Sequence, residues 1–181
     1  MNEYELDLLR QRSVEARQEK ARRGELLVTA PVGHLKTEER HWEKDPDGRV
    51  QEAVLLVFRK FLELGTVRQT LLWFLEHDLQ FPVYTRQGDE TCWKRPSYAT
   101  IYRILTNPVY GGAYAYGKTE HTLRYENGEP HRGARRKPKE QWLALLPNSH
   151  EGYVSWEQYH RRIKILSQNF QYLLQDRVHF R

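Results

Sequence analysis

The stretch RPSYATIYRILTNPVYGG, residues 95–112, decides how the rest of the chain is read. Pro96 and Ser97 mark a helix start, with the Ser97 hydroxyl placed to accept from a free backbone N–H. Tyr98, Ile101, Tyr102 and Leu105 follow at i, i+3, i+4 and i+7, which predicts one apolar stripe on a short helix. Asn107 precedes Pro108, and the residue before a proline is pushed out of the α region, so the helix stops there. Gly111 and Gly112 permit a sharp turn into the alternating run Ala113, Tyr114, Ala115, Tyr116, read as a strand. Ser97, Thr100 and Arg103 are left on the outer face, with Lys94 and Arg95 just ahead of the start. A small helix packed by aromatics and showing hydroxyls and arginine outward has the chemistry of a reading head for a DNA major groove. An ordinary surface helix with polar outer residues shows the same pattern.

Working upstream, Asp45-Pro46-Asp47-Gly48 is a turn signal. Val50, Ala53, Val54, Val57, Phe58, Phe61 and Leu62 then step by three and one, predicting an amphipathic core helix that ends at Gly65. Thr66 with Gln69 three positions on forms a capping box. The helix it opens offers Leu71, Phe74 and Leu75 as its buried face and ends at His77-Asp78. A polar loop over residues 85–91 leads to Cys92-Trp93. Three consecutive helices, the third short and flanked by basic residues, point to a helix-turn-helix variant, although this loop exceeds the tight turn of the simplest such motifs. Residues 3–23 contain neither Gly nor Pro and predict a long helix, acidic at its start and basic at its end. Arg10, Ser13, Arg17, Lys20 and Gly24 share a face that can lie along a phosphate backbone, and mixed-charge helices are also commonly just solvated. Gly24 ends that helix, and residues 25–36 read as an extended linker.

Downstream, residues 122–125 are expected to return antiparallel to the strand after Gly112, making a β-wing, with Asn127-Gly128 as a turn pair. RGARRKPK, residues 132–139, reads either as a mobile basic loop that orders on a phosphate backbone or as a plain solvated loop. Trp142 to Leu146 is a nearly continuous apolar run, consistent with a short buried strand. Ser155 and Gln158 form another capping box. Trp156, Tyr159, Ile163, Leu166, Phe170 and Leu173 follow at heptad spacing, over too few heptads to claim a coiled coil.

The totals set bounds. In 181 residues, 29 basic side chains stand against 24 acidic ones, so a polyanion is a natural partner and clustering matters more than the sum. Five tryptophans argue for real cores, and a mean hydropathy of −0.84 for a large wet surface. A single cysteine, Cys92, excludes an internal disulfide and any zinc site built on cysteine pairs. No apolar run reaches membrane-spanning length, and Met1 is followed by acidic residues rather than a signal peptide, so a soluble, cytoplasmic protein is expected.

The order of these features resembles the recombinase domain of large serine recombinases, the integrases and transposases of phages and mobile elements. The matching pieces are ELDLLRQRSVEARQEKARRG, TAPVGH, VFRKFLELGTVRQTLLWFLE, CWKRPSYATIYRILTNPVYGGAYAYGK and EQWLALLPNSHEGYVSWEQYHRR, and the resemblance covers nearly the whole chain, roughly residues 3–169. The most specific piece is the set Trp93, Ile104-Leu105, Asn107-Pro108 and Tyr110-Gly111. His34 stands where the family more often has an aromatic residue.

The resemblance implies an α+β, mainly helical chain: a helix-turn-helix or winged-helix-like domain with small β elements, preceded by a long linker helix. Residues 1–24 would be the end of the helix from a catalytic domain, 25–48 an extended linker and turn, 49–154 the DNA-binding domain, and 155–181 a helix leading towards a zinc ribbon. It implies no catalytic residue here, since Ser13 lies within a helix and the family's nucleophilic serine belongs to a preceding domain. It implies double-stranded DNA as partner, on the nucleoid, with no membrane partner, cofactor or metal. The fragment is expected to be monomeric, its parent a dimer on each site and a tetramer in synapsis. The DNA contacts expected are Arg10, Arg17 and Arg23 on the first helix, Lys94, Arg95 and Lys118 on phosphates, and Ser97, Thr100 and Arg103 on base edges. Arg132, Arg135, Arg136 and Lys137 of the basic segment complete the set. Two other readings stay open: a winged-helix transcription regulator with no recombinase parent, and a hydrolase using its eight histidines. None of those histidines has the spacing of a helical metal pair.

Overall fold

Asp47 starts the helix on which the others pack. Its carboxylate accepts from the Arg49 N–H at 2.9 Å and opens α2, Gly48–Leu64, and Gly65 closes it in the left-handed region at φ 78°. The structure, a computed structural model, describes residues 3–39, 41–85, 91–126 and 129–179, with side chains of the last helix described to Phe170. Val50, Val54, Val57, Phe58 and Phe61 are buried along α2 as their spacing dictates, while Leu62 at the margin is exposed. α3, Val67–Glu76, starts at Thr66, whose hydroxyl accepts from Gln69 N at 3.2 Å, and buries Val67, Thr70 and Phe74. α4, Tyr98–Thr106, packs on both α2 and α3. With Phe81, Tyr110 and Tyr153 these helices close one core, in which each fully buried large apolar side chain contributes about 1.5–3 kcal/mol.

α4 packs on Ile101, Ile104 and Leu105, not on the tyrosine-led stripe that the spacing predicts. Tyr98 is 52 % exposed and stacks on the half-buried Tyr102, with ring centroids 6.3 Å apart. The helix is turned so that Ile104 takes the place expected for Tyr98. A first-turn side chain leans back past the helix start, beyond the reach of the α2–α3 core.

The described strands form four antiparallel pairs. β1, His34–Lys36, pairs with β2, Trp42–Lys44, inside the linker. β3, Phe81–Tyr84, pairs with β4, Thr91–Lys94, so a hairpin, not a bare polar loop, joins α3 to α4; residues 86–90 lie outside the described residues. β5, Tyr114–Tyr116, pairs with β8, Ala144–Leu146, and not with residues 122–125 as expected. Those residues belong instead to β6, Thr119–Glu126, which pairs along its whole length with β7, Glu129–Arg136. The basic segment is therefore strand through Arg136 rather than a mobile loop, because the ladder satisfies its backbone without any apolar side being buried. The Asn127-Gly128 turn lies outside the described residues.

α5, Trp156–His179, begins with the expected capping box, Ser155 and Gln158 each bonding the other's backbone N–H at 3.2 Å. It rests on the 3-10 turn Pro108–Gly111, where a Cβ on Gly111 would come within 3.0 Å of Trp156 and Tyr159. Tyr159 is buried and donates to Thr106 O at 2.9 Å, whereas Phe170 further along the seam is 63 % exposed. α1, Glu3–Arg22, buries only Ala21 among its residues. A smaller core of Leu27, Trp42, Val109, Tyr114 and Ala144 joins the linker to β5 and β8.

His34 is wholly buried between Tyr110, Tyr153 and His150, at ring centroid distances of 5.4, 5.1 and 5.4 Å, and neither ring nitrogen has a hydrogen-bond partner among the described residues. Burial, helped by His150 and Lys44, holds its pKa down at about 3. The native state thus refuses a proton that the unfolded chain takes up below its ordinary value of 6.5. Stability is expected to be full above that value and to fall as pH drops towards about 3, by up to about 1.4 kcal/mol per pH unit. His150, also lowered by burial, adds a slope of the same sign. His34→Phe should remove most of this dependence in urea midpoints measured across that range, and an unchanged slope would mean that the box admits a proton.

Candidate nucleic-acid interface

β4 ends at Lys94 and hands the chain directly to the start of α4, so Lys94 and Arg95 stand exposed beside that helix N-terminus. Pro96 is buried and fixes the approach. Ser97 Oγ accepts from the Thr100 N–H at 3.2 Å and lies 2.9 Å from the Thr100 hydroxyl. The two hydroxyls nominated for base contacts therefore first satisfy the helix end and each other. Arg103 is exposed and donates through Nε to Ala99 O at 3.1 Å, which stiffens the side chain. Among the described residues no carboxylate pairs with Lys94, Arg95 or Arg103.

Lys118 is half-buried and already has one partner. Burial and the nearby Arg136 lower its pKa, and its Nζ donates to Asn107 Oδ1 at 3.3 Å. That same oxygen accepts from Val109 N and caps the turn after α4, so Lys118 braces the helix end. The β6–β7 ribbon carries the remaining basic residues. Arg135 is paired with Glu120, at 2.8 Å from Nε and 2.6 Å from Nη2. Arg132 is exposed and has no partner among the described residues. Arg136 lies over the Tyr102 ring, 5.5 Å from its centroid. Lys137 is half-buried just past the ribbon, its N–H donating to Lys118 O at 2.9 Å.

On α1, Arg10 pairs with Asp7 at 3.1 Å and Arg23 with Glu25 at 2.8 Å, while Arg17 is exposed without a partner among the described residues. Exposed pairs of this kind are weak, so an incoming phosphate can displace the carboxylate. α1 and α4 are not brought together by any major contact, and the two sets of cations stand on different elements.

The sequence reading missed several residues near α4. Tyr98 and Tyr102 border a groove of about 700 Å³ closed by Arg136, Lys139, Trp142, α5 and the first turn of α3, including Arg68. Arg68 left a signal: a cation in the first turn of a helix opposes the helix dipole and seldom serves the helix itself. Lys139, over the Trp156 ring at 5.1 Å, left none. Among the described residues no cluster of His, Cys, Asp and Glu could hold a metal ion, and no helix is long and apolar enough to cross a membrane.

The fold is α+β, the class that the sequence resemblance implies. The Recombinase family model matches residues 49–169, and the chain belongs to that family. It is 33 % identical over 172 residues to the uncharacterized protein y4bA/y4pH of Sinorhizobium fredii (strain NBRC 101917 / NGR234). That match covers 93 % of this chain and 24 % of the relative, so the chain spans about a quarter of that protein's length. In fold it is similar to the crystal structure of an LSR-DNA complex, with a TM-score of 0.56 at 18 % identity over 87 % of this chain and 38 % of that one.

The Ser97 cap can be tested directly. Ser97→Ala is expected to lower stability by about 1 kcal/mol and Ser97→Asn to keep most of it, since Asn accepts the same N–H. Urea unfolding that ranked all three proteins equal would show that the hydroxyl does not hold the helix end.

Proposed function

We propose that this chain is the DNA-binding region of a site-specific serine recombinase, in which α4 enters the major groove of the recombination site. The observation that carries the reading is the trio Lys94 and Arg95 just before a capped, firmly packed α4 and Arg103 on it, none with a carboxylate partner among the described residues, in a chain of the Recombinase family. α3 and α4 then act as a helix-turn-helix variant whose turn is the β3–β4 hairpin, and the β6–β7 ribbon stands as the wing. Arg103 is the base-reading side chain, because its guanidinium offers paired donors that match the guanine edge. Ser97 and Thr100 hold the helix start against the backbone. Arg10, Arg17 and Arg23 place α1 along phosphates, and the linker of residues 25–36 follows the duplex between the two helices.

In a longer parent, a catalytic domain ahead of α1 supplies the serine that cleaves and rejoins strands through a phosphoserine link. This region selects the site and needs no cofactor to do so. The parent would act as a dimer on each site and a tetramer in synapsis, in the cytoplasm on nucleoid DNA.

Binding of this chain to labelled duplexes selected from a random pool tests the reading. Arg103→Ala should cost about 1–3 kcal/mol on the selected site and little on random duplex. Equal losses on both would demote it to a phosphate contact, and a wild-type chain that selects nothing and binds no duplex would end the proposal. Arg95→Ala should weaken binding to every sequence and reduce the salt slope by about one.

A further inference from the structure

The ribbon has two unlike faces. Side chains alternate along a strand, and directly opposed residues of an antiparallel pair share a face. The register sets Thr119 opposite Arg136, Leu123 opposite Arg132 and Glu120 opposite Arg135. Odd-numbered residues 119–125 of β6 therefore share one face with even-numbered residues 130–136 of β7. That face contains no carboxylate and carries Arg132 and Arg136 with His121 and the exposed Leu123 and Tyr125. The reverse face mixes Glu120 and Glu129 with Arg124, and its Arg135 is already neutralised by Glu120.

We infer that the ribbon meets duplex DNA with the Leu123–Arg132–Arg136 face alone and turns the Glu120–Arg135 face away. This rests on the DNA-binding reading above and deepens it by assigning which surface of the wing touches the duplex. Two further observations support the assignment. At the ribbon base Arg136 lies over Tyr102 of α4, so the carboxylate-free face and the exposed side of α4 border the same space. A duplex lying along α4 meets that face first. On it, Leu123 and Tyr125 are 53 % and 69 % exposed, apolar surface suited to deoxyribose edges between phosphates that the arginines hold. The opposite approach would set Glu129 and the Glu120–Arg135 pair against the phosphates with Arg124 beside them, so that face offers carboxylates in balance with its arginines rather than a surplus of cations.

Residues 122 and 123 are neighbours whose side chains stand on opposite faces, so one added charge at each isolates the face. Leu123→Lys should tighten binding to a labelled random-sequence duplex about three- to eightfold at ~0.1 M salt and steepen the salt dependence by about 0.9 in log–log slope. Thr122→Lys should change affinity less than about twofold, because its charge points away from the phosphates. A gain in affinity cannot come from misfolding, so the comparison survives any loss of stability. In the complementary pair, Arg132→Ala should flatten the slope and Arg135→Ala leave it as it was. Equal tightening by both lysines, a larger effect at 122, or no effect at either would overturn the assignment while the wild-type chain still binds and still responds to Arg95→Ala. A wild-type chain that binds no duplex overturns the assignment together with the reading beneath it.

Discussion

Phenol hydroxyls hold the extended linker to the helical body, and the relation of α1 to α4 depends on them. The segment of residues 25–36 is largely without a ladder, so its polar backbone groups must find partners elsewhere as they become buried. Tyr114 donates to Leu26 O at 3.0 Å, Tyr110 to Val32 O at 2.8 Å and Tyr153 to Gly33 O at 2.5 Å. Tyr84 accepts from Gly33 N at 3.1 Å and donates to Asp45 Oδ2. Burial pushes the phenol pKa of Tyr110 and Tyr153 up, and that of Tyr114 up to about 12, so each remains a donor at any working pH. One such bond contributes only about 0.5–1.5 kcal/mol net, yet leaving its carbonyl buried and bare costs about 1–3 kcal/mol. Their combined effect is to remove freedom from the linker. An extended chain that would otherwise swing is fastened at Leu26, Val32 and Gly33, and α1 is carried from a fixed point.

Two buried polar groups break the rule that the tyrosines obey. His34 has no partner for either nitrogen, and Arg162, 3 % exposed, has none for Nε or Nη1 among the described residues. Both pack against rings instead. His34 fills an aromatic position as a neutral ring, packing edge-on against Tyr153 and His150. Arg162 lays its guanidinium over Phe58 at 4.6 Å, and burial lowers its pKa to about 10, so it keeps its charge near neutrality. A cation over a ring face recovers part of the lost hydration. Ring packing thus holds α5 and β1 where hydrogen bonding would normally be asked to.

What the sequence made legible was local. Asp47, Thr66, Ser97 and Ser155 all stand at helix starts, and Gly65 ends α2, because a cap acts on a backbone group two or three residues away. The phase of α4 was not legible, since Tyr98 and Ile104 fit the same period and only the reach of the α2–α3 core chooses between them. The strands were harder for two reasons. β5 finds β8 about thirty residues later, a distance over which pattern says little about partners. The ribbon buries nothing along β7, so it lacks the apolar alternation by which a strand is read, and its Arg, Gly and Pro content imitates a loop. In the candidate site the cations of α4 were readable one by one. Lys118 was not, because its engagement with Asn107 is a tertiary contact across the turn after α4.

Charge completes the link from fold to function. A net charge of +5 is modest, but the surplus is not spread evenly. Acidic residues are spent on arginines of α1 and on the back of the ribbon: Asp7 on Arg10, Glu19 on Arg22, Glu25 on Arg23 and Glu120 on Arg135. Lys94, Arg95, Arg103, Arg132 and Arg136 are left without a carboxylate partner among the described residues, on α4 and on the elements beside it. A field built this way is local, with a range of about a Debye length, about 10 Å at 0.1 M salt. Pairing the acids elsewhere leaves a nearly balanced chain with these five cations uncompensated by carboxylates among the described residues.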